Sequence, residues 1–567
     1  MLNLGFLLRL APVLTIGVLV VPVMAGVVGV LAPAFDYAPA FGQTVLSVAP
    51  FQAAFAAPGF ATSVWLGFWL GPVTAFIALV LSTVFVAAWS GTKSFQIVLT
   101  ALRPVLAIPH AAAAFGLAFL IMPSGFFMRL ISPMATGFDR PPDWLIVNDP
   151  AGFALLTGLI LKEIPFLLLV LIAALPQADE NRLRVARSLG YGQVWGWLIA
   201  VFPSVYTQIR LPVYAVIVFA GSVVDMALVL GPGTPPTLAI RILRWMNDPD
   251  LTQRLTGAAA AVIQFGVTGG AILTWWGLER LASRFGKRLL LCGVRLRGDR
   301  PVQLLALWLT GSAALLVLSG IGVLGLVSVS GGWRFPEALP AAYTLAIWQS
   351  HGPHLLDIAG RSVLIAIMSS LVSVVLVVAS LENEYRRQIH LPTYGKVILF
   401  LPLLVPQISF LPGLTVLFLG VGIDGTLASV IFVHLVFVLP YTYLVLADSW
   451  NAFDHRYLNL ARALGKTRNQ ALFLVRLPIL LRPILTAFAL GFAISIAQYL
   501  PTLIIGGGRV PTITTEAIAL GSGGNRHLIG VYGVVQTFLP FLLFWLAAGI
   551  PALLWRNRRG LKPGGGL

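Results

Sequence analysis

Residues 182–203 read RLRVARSLGYGQVWGWLIAVFP, and residues 457–478 read YLNLARALGKTRNQALFLVRLP. Each carries Ala-Arg-x-Leu-Gly, and each glycine is followed thirteen residues later by a proline. Leu183, Ala186 and Gly190 fall at i, i+3 and i+7, as do Leu458, Ala461 and Gly465, so each trio shares one face of a helix. The spacing predicts a short amphipathic helix lying along a membrane. Gly190 or Gly465 can take the positive φ that closes it. Small Ala186 or Ala461 permits a partner to approach closely, Arg187 or Arg462 is available to that partner, and a second short helix runs on to Pro203 or Pro478, where a membrane span begins. A single occurrence would favour an ordinary interfacial connector with basic anchors. Two occurrences at identical spacing favour a docking element.

The surroundings of these segments are apolar. Of the 567 residues 58% are hydrophobic and 10% charged, with a mean hydropathy of +0.91, whereas soluble domains carry about 25% charged residues. The chain is read as a polytopic, all-α membrane protein. Runs long enough to cross about 30 Å of hydrocarbon, roughly 20 residues as helix, lie near 9–31, 63–89, 98–122, 151–175, 207–231, 255–278, 303–329, 360–381, 397–420, 426–448, 480–505 and 527–555. With both termini cytoplasmic, the inner segments hold 27 of the 37 Lys and Arg, the outer loops nine, and Lys162 lies within a span. That bias follows the positive-inside rule. The net charge of +17 is therefore a topology signal facing lipid, and no nucleic-acid partner is expected. Arg9 and Ala32-Pro33-Ala34 imitate a secretory signal, but the apolar core exceeds the roughly 7–15 residues of such a segment, so a retained helix is expected.

Sliding the chain against itself by 275 residues places Pro165 on Pro440, Asp179 on Asp454, and Ala186, Arg187, Gly190 and Pro203 on Ala461, Arg462, Gly465 and Pro478. Gly231, Gly233 and Pro236-Thr237 then meet Gly506, Gly508 and Pro511-Thr512. One ungapped register holds for more than 70 residues. Upstream, PHAAAAFGL at 109–117 meets PQISFLPGL at 406–414 with an offset of 297, so the first half carries 22 extra residues, placed in the outer loop around PSGFFMRLISPMATGFDRPPDWLIVNDP. Six spans per half make the repeats parallel, related by an axis along the membrane normal. The expected division is a first repeat over 1–280, a basic cytoplasmic linker over 281–301 and a second repeat over 302–567. Each quoted segment is the cytoplasmic loop after the fourth span of its half.

This pattern resembles the signature of permeases from binding-protein-dependent ABC importers: Glu-Ala-Ala, three residues, Gly, nine residues, then Ile-x-Leu-Pro, in this same loop. Here the counterparts are Arg184-Val185-Ala186, Gly190 and Ala200-x-Phe202-Pro203, then Asn459-Leu460-Ala461, Gly465 and Val475-x-Leu477-Pro478; the glutamate and first alanine are absent from both. The resemblance covers essentially the whole chain and looks closest to the fused two-domain permeases of the thiamine and ferric-iron importer group. It implies a type I ABC importer permease fold in a bacterial inner membrane, with the loops seated as coupling helices on two copies of a cytoplasmic ATPase. It also implies an extracytoplasmic solute-binding protein as partner.

No G-x-x-x-x-G-K-[ST] phosphate loop occurs, so ATP and magnesium are expected to be used by the partner ATPase and no cofactor by this chain. The chain is thus expected to be a permease and not an enzyme. No metal site is expected either, because the seven histidines show no pair at ligand spacing and the lone Cys292 can form no cysteine cluster. Gly320-x-Gly322-x-x-Gly325 imitates a dinucleotide fingerprint but sits within a span, where close helix packing is expected. Ionisable groups in hydrocarbon are costly, about 2.5–3.5 kcal/mol even on an insertion scale. Asp225 is the strongest candidate for the substrate path, with Gln498 close to its repeat position Leu500; a lining or gate role and a helix-to-helix hydrogen bond are both open. Lys162 and Glu163 are adjacent and lie on different helix faces, so separate partners and structural anchoring are expected. The alternative is a twelve-span secondary transporter of major-facilitator type, although SGTKSFQIVLTALRP between spans two and three lacks that family's G-x-x-x-D-R-x-G-R-R. A thiamine-like cation, ferric iron, a polyamine or an inorganic anion all fit as cargo.

Overall fold

Backbone amides inside hydrocarbon must be satisfied within their own segment, which leaves helices for runs of this kind. The computed structural model describes residues 4–39, 42–177, 181–293, 295, 297–389 and 393–555, and among them it contains helices and two isolated bridges but no extended strand. Ten helices are long and apolar enough to cross a membrane, and two bent pairs bring the spans to twelve. In the first half they are Leu4–Ala34, Phe60–Trp89, His110–Ile131, Phe153–Ala174, Phe202–Ser222 and Leu251–Leu291. The second half repeats them as Arg300–Val329, Ala346–Arg387, Val397–Leu404 with Gln407–Val421, Leu427–Asn451, Arg468–Ile479 with Leu481–Ala497, and Arg526–Leu554.

Four apolar runs read as continuous are interrupted. The run 98–122 divides into the helices Lys93–Ala107 and His110–Ile121, and its counterpart in the second half bends by 92° between Leu404 and Gln407. Pro109 and Pro406 sit at these breaks, where a residue without an N–H cannot continue the ladder. The fifth span stops at Ser222 and resumes as Asp225–Leu230; the eleventh stops at Ala497 and resumes as Leu500–Gly506. No proline sits in the gap Val223-Val224 or Gln498-Tyr499. The sixth span, by contrast, runs on as helix through residues 281–291.

The two halves exchange their first helices. Leu4–Ala34 packs on the eighth and ninth spans, and Arg300–Val329 packs on the second span and on His110–Ile121. Glycines make both crossings possible. A Cβ at Gly320 would lie 2.8 Å from the Gly116 carbonyl carbon, and one at Gly26 would overlap the backbone of Phe410. Gly322 and Gly325 have nothing within 4 Å, so of the three glycines in that run it is Gly320 that meets another helix. On the outer face, Arg129 of the first half's extra loop donates to the carbonyls of Arg334 (2.7 Å) and Glu337 (3.2 Å) and lies over the Trp333 ring. That ties the insertion to the other half.

Candidate functional site

The two matched loops fold alike at the start and are held differently. The first is a leading helix Asn181–Ser188, Gly190 at φ +92°, and a trailing helix Gln193–Ala200 that runs into the fifth span at Phe202-Pro203. The second is Arg456–Ala463, Gly465 at φ +81°, then Arg468–Ala471 and a wide-turned segment Leu472–Arg476 before Pro478. Both glycines thus occupy the left-handed region that an L side chain adopts only at a cost. Ala186 and Ala461 do not face outward as expected. Both are buried, and Ala186 is turned toward Gly196 of its own trailing helix, so the small residue serves packing inside the loop. The outward face is apolar instead: Val185 and Leu189 in one loop, Leu460 and Leu464 in the other, each more than half exposed. These pairs are repeat-related and spaced i, i+4, a signal available in the sequence but overlooked beside the arginines. Arg187 and Arg462 are exposed next to them.

Beneath the second loop, Arg476 is buried. It donates to Glu382 Oε2 (3.1 Å) and to the Trp450 carbonyl (3.0 Å), with its guanidinium stacked over Trp450 and Tyr385. Arg386 adds a second bond to Glu382 at 2.6 Å. A basic residue in a basic loop reads as a surface anchor, so its burial was not legible.

A second group of polar side chains gathers at the helix breaks. Asp225 starts the outer piece of the fifth helix and Gln498 follows the inner piece of the eleventh; both are buried. They stand at matching breaks, one in each half. Lys162 Nζ donates to the carbonyls of Val105 (2.8 Å) and Ile108 (2.6 Å), which the third-span break leaves without helical partners. Glu163 Oε1 lies 4.0 Å from His110 Nε2. Adjacent Lys162 and Glu163 therefore do have separate partners, and the lysine anchors a helix end. In the second half, His434 bonds Ser495 (2.7 Å) on the inner piece and Thr502 (2.8 Å) on the outer piece of the eleventh span. It bridges the break.

Comparison with known proteins converges on one class. The chain is 31% identical over 538 residues, 94% of its own length and 96% of the relative's, to a protein of Escherichia coli K12 named "Inner membrane ABC transporter permease protein YnjC". Part of it is 27% identical over 149 residues, 26% of this chain and 58% of the relative, to the Haemophilus influenzae "Spermidine/putrescine transport system permease protein PotC", and 26% identical over 141 residues, 25% and 53%, to its Escherichia coli K12 namesake. Residues 391–554 match the family described as "Binding-protein-dependent transport system inner membrane component". Likeness along nearly the full length of both chains, on an all-helical body with up to twelve spans, leaves no place for the facilitator alternative. The chain belongs to the ABC transporter permeases, multi-pass inner-membrane components of binding-protein-dependent import systems.

Proposed function

We propose that each matched loop seats on its own copy of a cytoplasmic ATPase, so that one permease chain works with two ATPases. In this reading ATP and magnesium are consumed on those partners, and a binding protein delivers the solute to the outer face. Closure of the ATPase pair pushes the loops together and switches the path between outward and inward access. Both termini lie in the cytoplasm, on the side of the basic segments. The observation that carries the reading is the pair of outward apolar faces, Val185 with Leu189 and Leu460 with Leu464, each ending at a positive-φ glycine. A soluble-facing loop gains nothing from such a face until a partner covers it.

The cargo in this reading is a small cation. Glu163 and Asp225 outnumber Lys162 at the helix breaks, a balance of charge that suits a cation over an anion. The fused two-half chain also supports the thiamine and ferric-iron permease group.

The test is Gly190→Val and Gly465→Val in the complex with ATPase and binding protein. A β-branched residue at positive φ costs about 1–3 kcal/mol, and at Gly190 its Cβ would also press on Arg297 at 3.1 Å. Both variants are expected to insert and to lose transport at least tenfold, Gly190→Val the more severely. Wild-type transport by both, with two ATPases still bound by native mass spectrometry, would reduce the loops to connectors.

A further inference from the structure

Gly192 and Thr467 occupy the same position in the two repeats, directly before the trailing helix of each loop. In the second loop that helix caps itself: Thr467 Oγ1 accepts from Gln470 N (3.2 Å) and Gln470 Oε1 accepts from Thr467 N (3.0 Å). In the first loop Gly192 has no side chain to offer, and the cap comes from 105 residues away. Asp299 Oδ2 accepts from Val194 N at 2.8 Å, the bond an N-cap side chain would make, with its charge at the positive end of the helix. A Cβ at position 192 would overlap the Asp299 carboxylate. The glycine is what admits it.

Asp299 directly precedes Arg300–Val329, the helix that crosses from the second half onto the first. Two more bonds close the same junction. Gln193 Nε2 donates to the Ala87 carbonyl (3.1 Å), and Trp89 Nε1 donates to the Gln303 carbonyl (3.0 Å), so the end of the second span touches both the loop and the crossing helix. Nearby, Arg297 Nε donates to the Gly190 carbonyl at 3.2 Å. Among the described residues no side chain from outside caps the second loop's trailing helix, and a Cβ at Gly465 would meet nothing within 4 Å.

From this asymmetry we infer that Asp299 is a positioning residue of the transport cycle: it fastens the first ATPase-docking loop to the crossing helix of the opposite half, so that displacement of that loop moves both halves together. The inference rests on the loops' proposed role as docking elements. The second loop caps itself and, among the described residues, takes no such bond from a crossing helix.

A simple cap and a mechanical link are separated by supplying the cap from within. Gly192→Thr with Asp299→Ala supplies the threonine half of the second loop's cap to the first, where Trp195 stands in place of Gln470, and cuts the connection; Asp299→Ala alone removes both. Each is assembled with its ATPase in lipid nanodiscs, and the probe is the binding protein purified with whatever solute it carries. The readouts are ATPase copies by native mass spectrometry, hydrogen exchange over residues 193–200, and the fold by which binding protein stimulates ATP hydrolysis. The expected result for the double variant is wild-type ATPase binding and wild-type protection of 193–200, with stimulation reduced at least fivefold. Stimulation restored to the wild-type level would make Asp299 a cap and nothing more, leaving the importer reading untouched. A wild-type complex whose hydrolysis does not respond to binding protein would overturn the docking reading and this inference with it.

Discussion

Arg476 and Glu382 pair at 3.1 Å with side chains 1% and 5% exposed, directly under the second of the two matched loops. The first-half counterpart of Arg476, by the offset of 275, is Val201, which is buried. One half thus closes this junction with apolar packing and the other with a buried ion pair. Breaking such a pair from one side costs about 3–5 kcal/mol, because a charge is left without compensation. Glu382→Leu strands two arginines, Arg476 and Arg386, whereas Arg476→Met leaves Glu382 paired to Arg386 at 2.6 Å. Thermal unfolding of the purified chain is expected to rank Glu382→Leu as the more damaging. The opposite ranking would show that Arg476 matters through its stacking on Trp450 and Tyr385 alone.

His434, Ser495 and Thr502 correspond to Leu159, Ala220 and Ala227 in the first half, so the same break is bridged by hydrogen bonds in one repeat and by apolar contact in the other. His434→Leu by itself removes the bridging partner of two buried hydroxyls, at about 1–3 kcal/mol. The triple variant His434→Leu, Ser495→Ala, Thr502→Ala copies the first half and is expected to recover most of that loss in a thermal-unfolding assay. A triple variant less stable than the single one would mean that the two breaks are not interchangeable packings.

Gly320→Ala places a methyl 2.8 Å from the Gly116 backbone, in a contact that joins the crossing helix to the other half. Overpacking of this kind costs about 1–3 kcal/mol. Gly322→Ala and Gly325→Ala enter open space and are expected to stay within about 0.5 kcal/mol of the parent. Equal effects at all three positions, measured by unfolding in detergent, would remove the close crossing from the account.

Much of this architecture was legible because repetition survives at the level of single residues. The register from Pro165 on Pro440 through Gly190 on Gly465 located both loops and predicted their positive-φ glycines. Which helix crosses to which half was not legible, since lipid-facing and helix-facing surfaces are equally apolar and hydropathy does not separate them. The breaks at Val223-Val224 and Gln498-Tyr499 were hidden for a similar reason: FAGSVVDMALVLG and AISIAQYLPTLIIG stay apolar across the interruption. Asp225 and Gln498 drew notice as polar residues in hydrocarbon, but that each adjoins a helix end emerged from the fold. Ala186 and Ala461 were misdirected because helical spacing groups residues on one face without saying whether that face turns outward. Asp299 lay beyond any local reading, its partner Val194 being 105 residues distant.

The most direct test of the central claim, that the loops receive an ATP-driven push, is solute uptake by proteoliposomes containing the chain, its ATPase and its loaded binding protein. Uptake is expected only with all three components and ATP inside the cytoplasmic compartment, with no uptake by the chain alone under a proton or sodium gradient. Gradient-driven uptake by the chain alone, unchanged when ATP and ATPase are withheld, would contradict it.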